Sequence, residues 1–405
     1  MLTLSTPTVK LILLAWLAPV ISSCSPKQTS PAFPSVEALV DSVRMRHVPD
    51  RRDNVYEITV REENGDFLVE GFTSVPEAKT ELMETIRKEN PEALDRIVLL
   101  PDKSLGDELY GIINVSVADL RMKGDYGAEM GTQLLLGMPL KVLQHDKWYR
   151  VKTPEGYVAW LEKGVFVQMN KETFNQWTNA RKIIFTGDYG FAYETPDEHK
   201  QRVSDLVFGN LLKYESENGN FYRVSYPDGR QAYVAKAQSR MYDEWLSSVS
   251  LTEKSIIREA LLLKGIPYVW GGTSVKGMDC SGFSKTVFLK HGVMLQRDAS
   301  QQAKTGKPVD ISQGYDNLRP GDLLFFGKKA GEGKKERVRH VAIYTGNKEF
   351  IHASGFVRIN SLDPSKPHYD KNNTEELIRA ARIIGAVGTE GIWDIGNHAL
   401  FQTQE

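Results

Sequence analysis

The chain has 405 residues, more than one compact core accommodates, so several domains are expected. With 41% hydrophobic and 25% charged residues its composition is ordinary for a soluble globular protein. A formal net charge of −1 removes any electrostatic case for nucleic acid as a partner.

The first residues read as a targeting segment rather than as part of the fold. Lys10 precedes an apolar run from Leu11 to Ala18, too short to span a bilayer comfortably and typical of a secretory signal. The run ends in Val20-Ile21-Ser22-Ser23-Cys24, where small residues before a cysteine resemble the bacterial lipobox. On that resemblance residues 1–24 are a lipoprotein signal peptide, Cys24 carries the lipid, and residues 25–34 form a polar tether. The protein is then expected at the bacterial cell envelope, membrane-anchored on the periplasmic side or at the cell surface. Cys280 is left without an intramolecular partner. In an exported protein that makes it a candidate reactive thiol.

Residues 35–104 read as a small α/β domain. Val36, Leu39, Val40 and Val43 have helical spacing. A hairpin is predicted from Val55 to Val60 and Phe67 to Phe72 around Asn64-Gly65. Ser74 is the expected cap of a helix from Pro76 to Lys88, and Arg96 to Leu100 is a strand.

An internal repeat follows. Trp148-Tyr149-Arg150-Val151 turns through Pro154-Glu155-Gly156 into Tyr157-Val158-Ala159, and Phe221-Tyr222-Arg223-Val224 turns through Pro227-Asp228-Gly229 into Tyr233-Val234-Ala235. Two related β-domains are expected, at 105–168 and 169–246. Both copies resemble bacterial SH3-like (SH3b) barrels, the first more closely.

From 251 to 390 the pattern changes. Ile256, Ile257, Ala260, Leu261 and Leu263 give one helical face, ended by Gly265 and Pro267. Gly271 and Gly272 permit close backbone approach, and Asp279 can cap a helix with Phe283, Val287 and Phe288 inward. Cys280 falls in its first turn, where the helix dipole should favour a thiolate and free N–H groups can meet an oxyanion. Its base should be a histidine. His340 opens a period-two strand, and His352 lies beyond a connection at Thr345 to Glu349. A connection of odd length puts both rings on one sheet face, whereas a two-residue loop at Gly346-Asn347 would separate them; the odd loop is expected. His340 is then the base and His352 orients it.

Tyr268-x-Trp270-Gly271-Gly272, Asp279-Cys280-Ser281-Gly282, Arg319-Pro320-Gly321-Asp322-Leu323, His340-Val341-Ala342-Ile343-Tyr344 and Ile351-His352-Ala353 together resemble the NlpC-type papain-like cysteine peptidases. The resemblance implies an α+β papain-like domain preceded by the two SH3b-like barrels and the α/β unit. It also implies catalytic Cys280, His340 and His352, with the Tyr268 hydroxyl supporting the oxyanion.

The domain order is similar to that of γ-D-glutamyl-L-diamino-acid endopeptidases of the dipeptidyl-peptidase VI type. Those enzymes cleave peptidoglycan stem peptides after a free L-Ala-γ-D-Glu. This implies that Glu129, Tyr157 and Asp298 recognise the amine, with Ser281 and Ser300 bonding substrate carbonyl or carboxylate. The expected substrate is a muropeptide, acted on in wall recycling by a monomer. The rivals are an amidase or acyltransferase on the same scaffold and a non-catalytic wall-binding lipoprotein. No cofactor is implied. No HExxH and no Cys/His cluster with zinc spacing occurs, so no metal is expected. The basic run from Gly327 to Arg339 is expected to be a solvated loop.

Overall fold

A computed structural model describes residues 35–63, 66–331, 333 and 335–401. The signal run, Cys24, the tether through residue 34 and the Asn64-Gly65 turn lie outside the described residues. Among the described residues no helix is long and apolar enough to cross a membrane, and no His, Cys, Asp or Glu cluster could hold a metal ion.

The N-terminal unit opens with α1 (Val36–His47), whose first turn is capped by the Ser35 hydroxyl accepting from the Ala38 amide. Antiparallel β1 (Tyr56–Glu63) and β2 (Asp66–Thr73) form the hairpin. Helix α2 (Pro76–Glu89) then crosses over to β3 (Leu94–Leu99), parallel to β2. Leu39, Val43, Leu82, Met83 and Ile86 bury the helices' apolar stripes against Ile58, Val69 and Ile97. Ser74 does not cap α2. The cap position is Val75 with no side-chain bond, and the Ser74 hydroxyl accepts from the Val55 amide at 2.9 Å. Pro76 at the first turn already removes one of the donors a cap would satisfy.

Seven strands between Tyr110 and Met169 make one antiparallel curled sheet, and seven between Lys182 and Met241 make another. Each repeat hairpin turns where its sequence indicates. Tyr149–Lys152 pairs with Val158–Leu161, and Phe221–Ser225 pairs with Gln231–Ala235. Gly156 and Gly229 hold φ of +92° and +88° in those turns, a region that an L side chain rarely enters.

The C-terminal region is mixed α+β. Helix α3 (Glu253–Leu262) begins with a Thr252–Ser255 capping box. Ile256, Ala260 and Leu263 are buried as its spacing requires, while Leu261 is exposed. After α4 (Cys280–Leu289) and the short α5 (Ala299–Gln302) come the strands β4 (Lys307–Val309), β5 (Leu323–Lys328), β6 (Arg337–Gly346), β7 (Glu349–Ser354), β8 (Phe356–Ser361) and β9 (Leu377–Arg382). They form an antiparallel sheet in the order β4-β9-β5-β6-β7-β8. Structure continues past residue 390, because Ile392–Asp394 pairs with Val293–Leu295.

All ten residues of α4 are buried, so it has no solvent face opposite Phe283 and Val287. The sheet covers one side through Phe325, Val341 and Ile351. On the other side Lys285 ion-pairs with Glu155 of the first barrel's Pro-Glu-Gly turn. The amphipathic reading of this helix misses that second cover.

Gly282 sits so near the loop before α4 that a Cβ there would lie 1.9 Å from the Gly272 carbonyl oxygen. Gly282→Ala is therefore expected to destabilise the protein by about 2 kcal/mol or more, measured by urea unfolding. An unchanged midpoint would contradict this packing.

Candidate active site

A cleft of about 490 Å³ lies where the first barrel, the N-terminal unit and the C-terminal domain meet. Glu129 and Tyr157 line it from the barrel, Tyr268, Trp270, Cys280, Ser281, Asp298 and Ser300 from the C-terminal domain, and Arg52 from the N-terminal unit.

Cys280 is the first residue of α4, directly after its cap Asp279, whose Oδ1 accepts from the Gly282 amide at 2.7 Å. The thiol is free and only 7% exposed, and the amides of Val341 and Ser281 donate toward its sulfur. Burial, followed by the Asp279 charge, pushes the thiol up to about 12, with the two amides and Arg297 offsetting part of this. The thiolate expected from the helix start is therefore not the resting form. Removing a sulfur anion from water costs more than one helix start returns.

A chain of hydrogen bonds orients the two histidines. His340 Nε2 lies 2.7 Å from His352 Nδ1, and His352 Nε2 lies 3.0 Å from Asn360 Oδ1. The Asn360 amide nitrogen donates to the His368 carbonyl at 3.3 Å, which turns the Asn360 oxygen toward His352. An accepting Asn360 oxygen requires a proton on His352 Nε2. His352 Nδ1 then accepts from His340 Nε2–H, and His340 Nδ1 keeps its lone pair. Val341, the next residue on β6, directs its amide at the Cys280 sulfur, so Cys280 and His340 are carried by packed, adjoining elements.

The two histidines share a face by a different route from the odd loop. The β6–β7 turn has two residues, Asn347 and Lys348, with φ of 52° and 61°. A bulge between Tyr344 and Gly346 adds the residue that restores the parity.

Burial lowers His340 well below its ordinary value, with His352 and Arg339 adding to the effect, and burial lowers His352 to about 4. Both rings are neutral at pH 7.

The surrounding residues are already engaged. Half-buried Tyr268 is held above its ordinary range by burial and by the nearby Cys280. Glu129 Oε1 accepts from the Trp270 indole at 2.7 Å. Tyr157 is buried, its hydroxyl 3.6 Å from Met122 Sδ. Ser281 accepts from Arg297 at 2.9 Å and donates to Asp279 at 3.2 Å. Asp298 and Ser300 both accept from Arg52, at 2.6 and 2.9 Å. The basic segment is not all loop, since Arg337 and Arg339 stand on β6 at the cleft and Arg339 pairs with Glu376.

Sequence reasoning missed Arg52, Asn360 and the Trp270–Glu129 bond. Asn360 had a faint signal, because Gly355 marks a hairpin that brings it diagonal to His352. Arg52 had none.

The NlpC/P60 family pattern matches residues 265–377, and the bacterial dipeptidyl-peptidase Sh3 domain pattern matches residues 120–164. The γ-D-glutamyl-L-lysine dipeptidyl-peptidase of Bacillus cereus is 31% identical over 234 residues, which cover 56% of this chain and 67% of that protein. The enzyme of the same name from Bacillus subtilis is 30% identical over 231 residues, 55% of this chain and 71% of that protein. This chain belongs to the NlpC/P60 family of cysteine peptidases. A crystal structure of an NlpC/P60 family protein from Bacillus cereus matches with a TM-score of 0.57 at 27% identity, covering 67% of this chain and 99% of that one. The papain-like α+β domain and the bacterial SH3 domain of an NlpC/P60 protein are thus present, as the motifs imply.

Because both rings stay neutral in the fold, unfolded histidines take up protons first as the pH drops below about 6.5. Stability is therefore expected to fall between pH 6.5 and 4, as a decline in Tm by calorimetry, and His352→Asn should flatten that decline. The acid limb of kcat/KM should also lie well below 6.5. A limb at or above that value would contradict a buried neutral base.

Proposed function

We propose that this protein is a γ-D-glutamyl-L-diamino-acid endopeptidase that releases L-Ala-γ-D-Glu from small peptidoglycan-derived peptides with a free L-Ala amine. The observation that carries the reading is a buried thiol beside the strand of the His340–His352–Asn360 chain, in a cleft walled on one side by Glu129 and Tyr157. The two Bacillus relatives, named as γ-D-glutamyl-L-lysine dipeptidyl-peptidases, point to the same bond.

The steps follow from the protonation states. The Cys280 sulfur attacks the γ-carbonyl carbon of D-Glu while its proton passes to His340 Nδ1. The developing oxyanion meets the Cys280 amide at the start of α4 and the Tyr268 hydroxyl, which keeps its proton because its pKa is raised. The His340 imidazolium, otherwise unfavourable in this buried site, hands its proton to the departing amine as the C–N bond breaks. A thioester remains. Water then gives a proton to His340, attacks the thioester and frees the dipeptide, and the thiol regains its proton. The leaving amine belongs to a diamino acid, either meso-diaminopimelate or L-lysine.

Glu129 supplies the recognition charge. Trp270 holds one of its oxygens, and the carboxylate lies in the cleft wall to meet an ammonium. Because the barrel bounds the cleft on that side, small soluble muropeptides suit it better than intact cross-linked wall, which fits wall recycling. Lipidation at Cys24 would tether a monomeric enzyme to the bacterial envelope.

The direct test is L-Ala-γ-D-Glu-diaminopimelate with a free or an acetylated amine. The free form is expected to be cleaved and the acetylated form to resist, and Cys280→Ala should abolish turnover. Equal cleavage of both would refute amine recognition. Glu129→Ala should raise KM for the free-amine peptide by about tenfold, as for loss of one charged hydrogen bond.

A further inference from the structure

The N-terminal unit reaches the active site, since Arg52 lines the cleft. Its loop from Asp50 to Asn54 is docked at both neighbours. The Arg52 carbonyl accepts from the Val158 amide at 2.6 Å, and Lys152 reaches Asn54 at 3.3 Å, both from the first barrel. Asp53 accepts from Gln301 of α5 at 2.8 Å.

The loop's central side chain lines the cleft. The Arg52 guanidinium is gripped from behind by Asp50, Nε to Oδ1 at 2.8 Å and Nη2 to Oδ2 at 2.6 Å. Its Nη1 then bridges Asp298 Oδ2 at 2.6 Å and Ser300 Oγ at 2.9 Å. The guanidinium is a planar fork, so fixing one edge on Asp50 fixes the direction of the other. Without Arg52, Asp298 would be a partly exposed carboxylate at the start of a four-residue helix, held by its capping bonds and by a long ion pair from Arg297 Nη1 to Oδ1 at 3.9 Å.

We propose that the N-terminal unit completes the substrate cleft, with Arg52 as a positioning and specificity-determining residue that holds Asp298 and Ser300 in place for the substrate's ammonium-bearing end. The proposal rests on the function proposed above and deepens it. Arg52 touches no reacting atom. Through Oδ2 it orders the carboxylate that faces the substrate, while Oδ1, beyond hydrogen-bond distance of Arg297 at 3.9 Å, can accept from the ligand. A carboxylate shared between a fixed guanidinium and an incoming ammonium is already oriented, so less is lost on binding. The residue's effect belongs in KM and in the preference for a free amine, not in the chemical step at Cys280.

The test uses the full chain and its Arg52→Ala and Arg52→Lys variants, assayed on L-Ala-γ-D-Glu-diaminopimelate with a free or an acetylated amine. Arg52→Ala is expected to raise KM for the free-amine peptide by about tenfold, with kcat within about twofold and the rate of Cys280 alkylation by iodoacetamide unchanged. Its preference for the free over the acetylated amine should shrink. Arg52→Lys should recover part of the KM, since an ammonium can pair with Asp298 but cannot grip Asp50 in two places. A tenfold loss in kcat with unchanged KM would overturn the proposal. So would an unchanged KM in Arg52→Ala, or a lower one, which would make Arg52 a competitor for Asp298. If the unaltered chain releases no dipeptide, the proposed function itself fails and this inference falls with it. Thermal melts identify any variant that has lost its fold, and for such a variant Arg52→Lys decides.

Discussion

The site depends on one buried carboxylate. Asp279 Oδ1 takes the Gly282 amide, the Ser281 hydroxyl and Arg297 Nη1, while Oδ2 takes the Gly271 amide at 2.9 Å and Arg297 Nη2 at 2.6 Å. One side chain thereby fixes the start of α4, the glycine loop before it and the guanidinium beneath it. Burying both charges is expensive, and the two-fold Asp279–Arg297 pairing, with the amides and hydroxyl on the carboxylate, offsets that cost, while Arg297 Nε–H stays unpartnered. The pair's negative partner sits next to the nucleophile and helps keep the thiol protonated, while its positive partner offsets part of that. Structure and reactivity therefore oppose each other at Cys280: what anchors the sulfur also disfavours its anion.

This opposition makes the histidine chain necessary. A thiolate–imidazolium pair formed in a dry site would need charge stabilisation that the surroundings do not provide, because His352 and Arg339 both disfavour a cation on His340. In the proposed mechanism, a neutral pair whose proton moves only as the carbonyl carbon is attacked avoids standing charge in the resting enzyme. Asn360 supports this from two residues away in the chain of bonds. It is an acceptor that never ionises, so it sets the tautomers without adding a charge.

The recognition side and the reacting side are locked together by contacts between domains. The Thr273 amide donates to Gln133 of the first barrel at 2.9 Å, and a side chain at Gly271 would strike the Met130 carbonyl oxygen at 2.5 Å. Lys285 reaches across to Glu155, both of them buried. Met130 follows Glu129 directly, so the backbone that carries Glu129 packs against the loop that precedes Cys280. The barrel is thus part of the active site's wall rather than a separate appendage.

The sequence by itself determined the elements whose causes are local. The Asp279 cap, the Gly271-Gly272 approach, the repeat turns at Gly156 and Gly229, and the strand bearing His340 all follow from residue type and spacing over a few positions. It also marked Cys280, His340 and His352 as a set, because their motifs occur together and in order. Tertiary structure decided what depends on distant partners. The pairing of Arg52 with Asp298 joins residues 246 positions apart and leaves no periodic trace. The burial that protonates Cys280 comes from a sheet and a barrel that no local window contains. The facing of the two histidines turned on a bulge between Tyr344 and Gly346, a count of one residue that side-chain patterning does not encode.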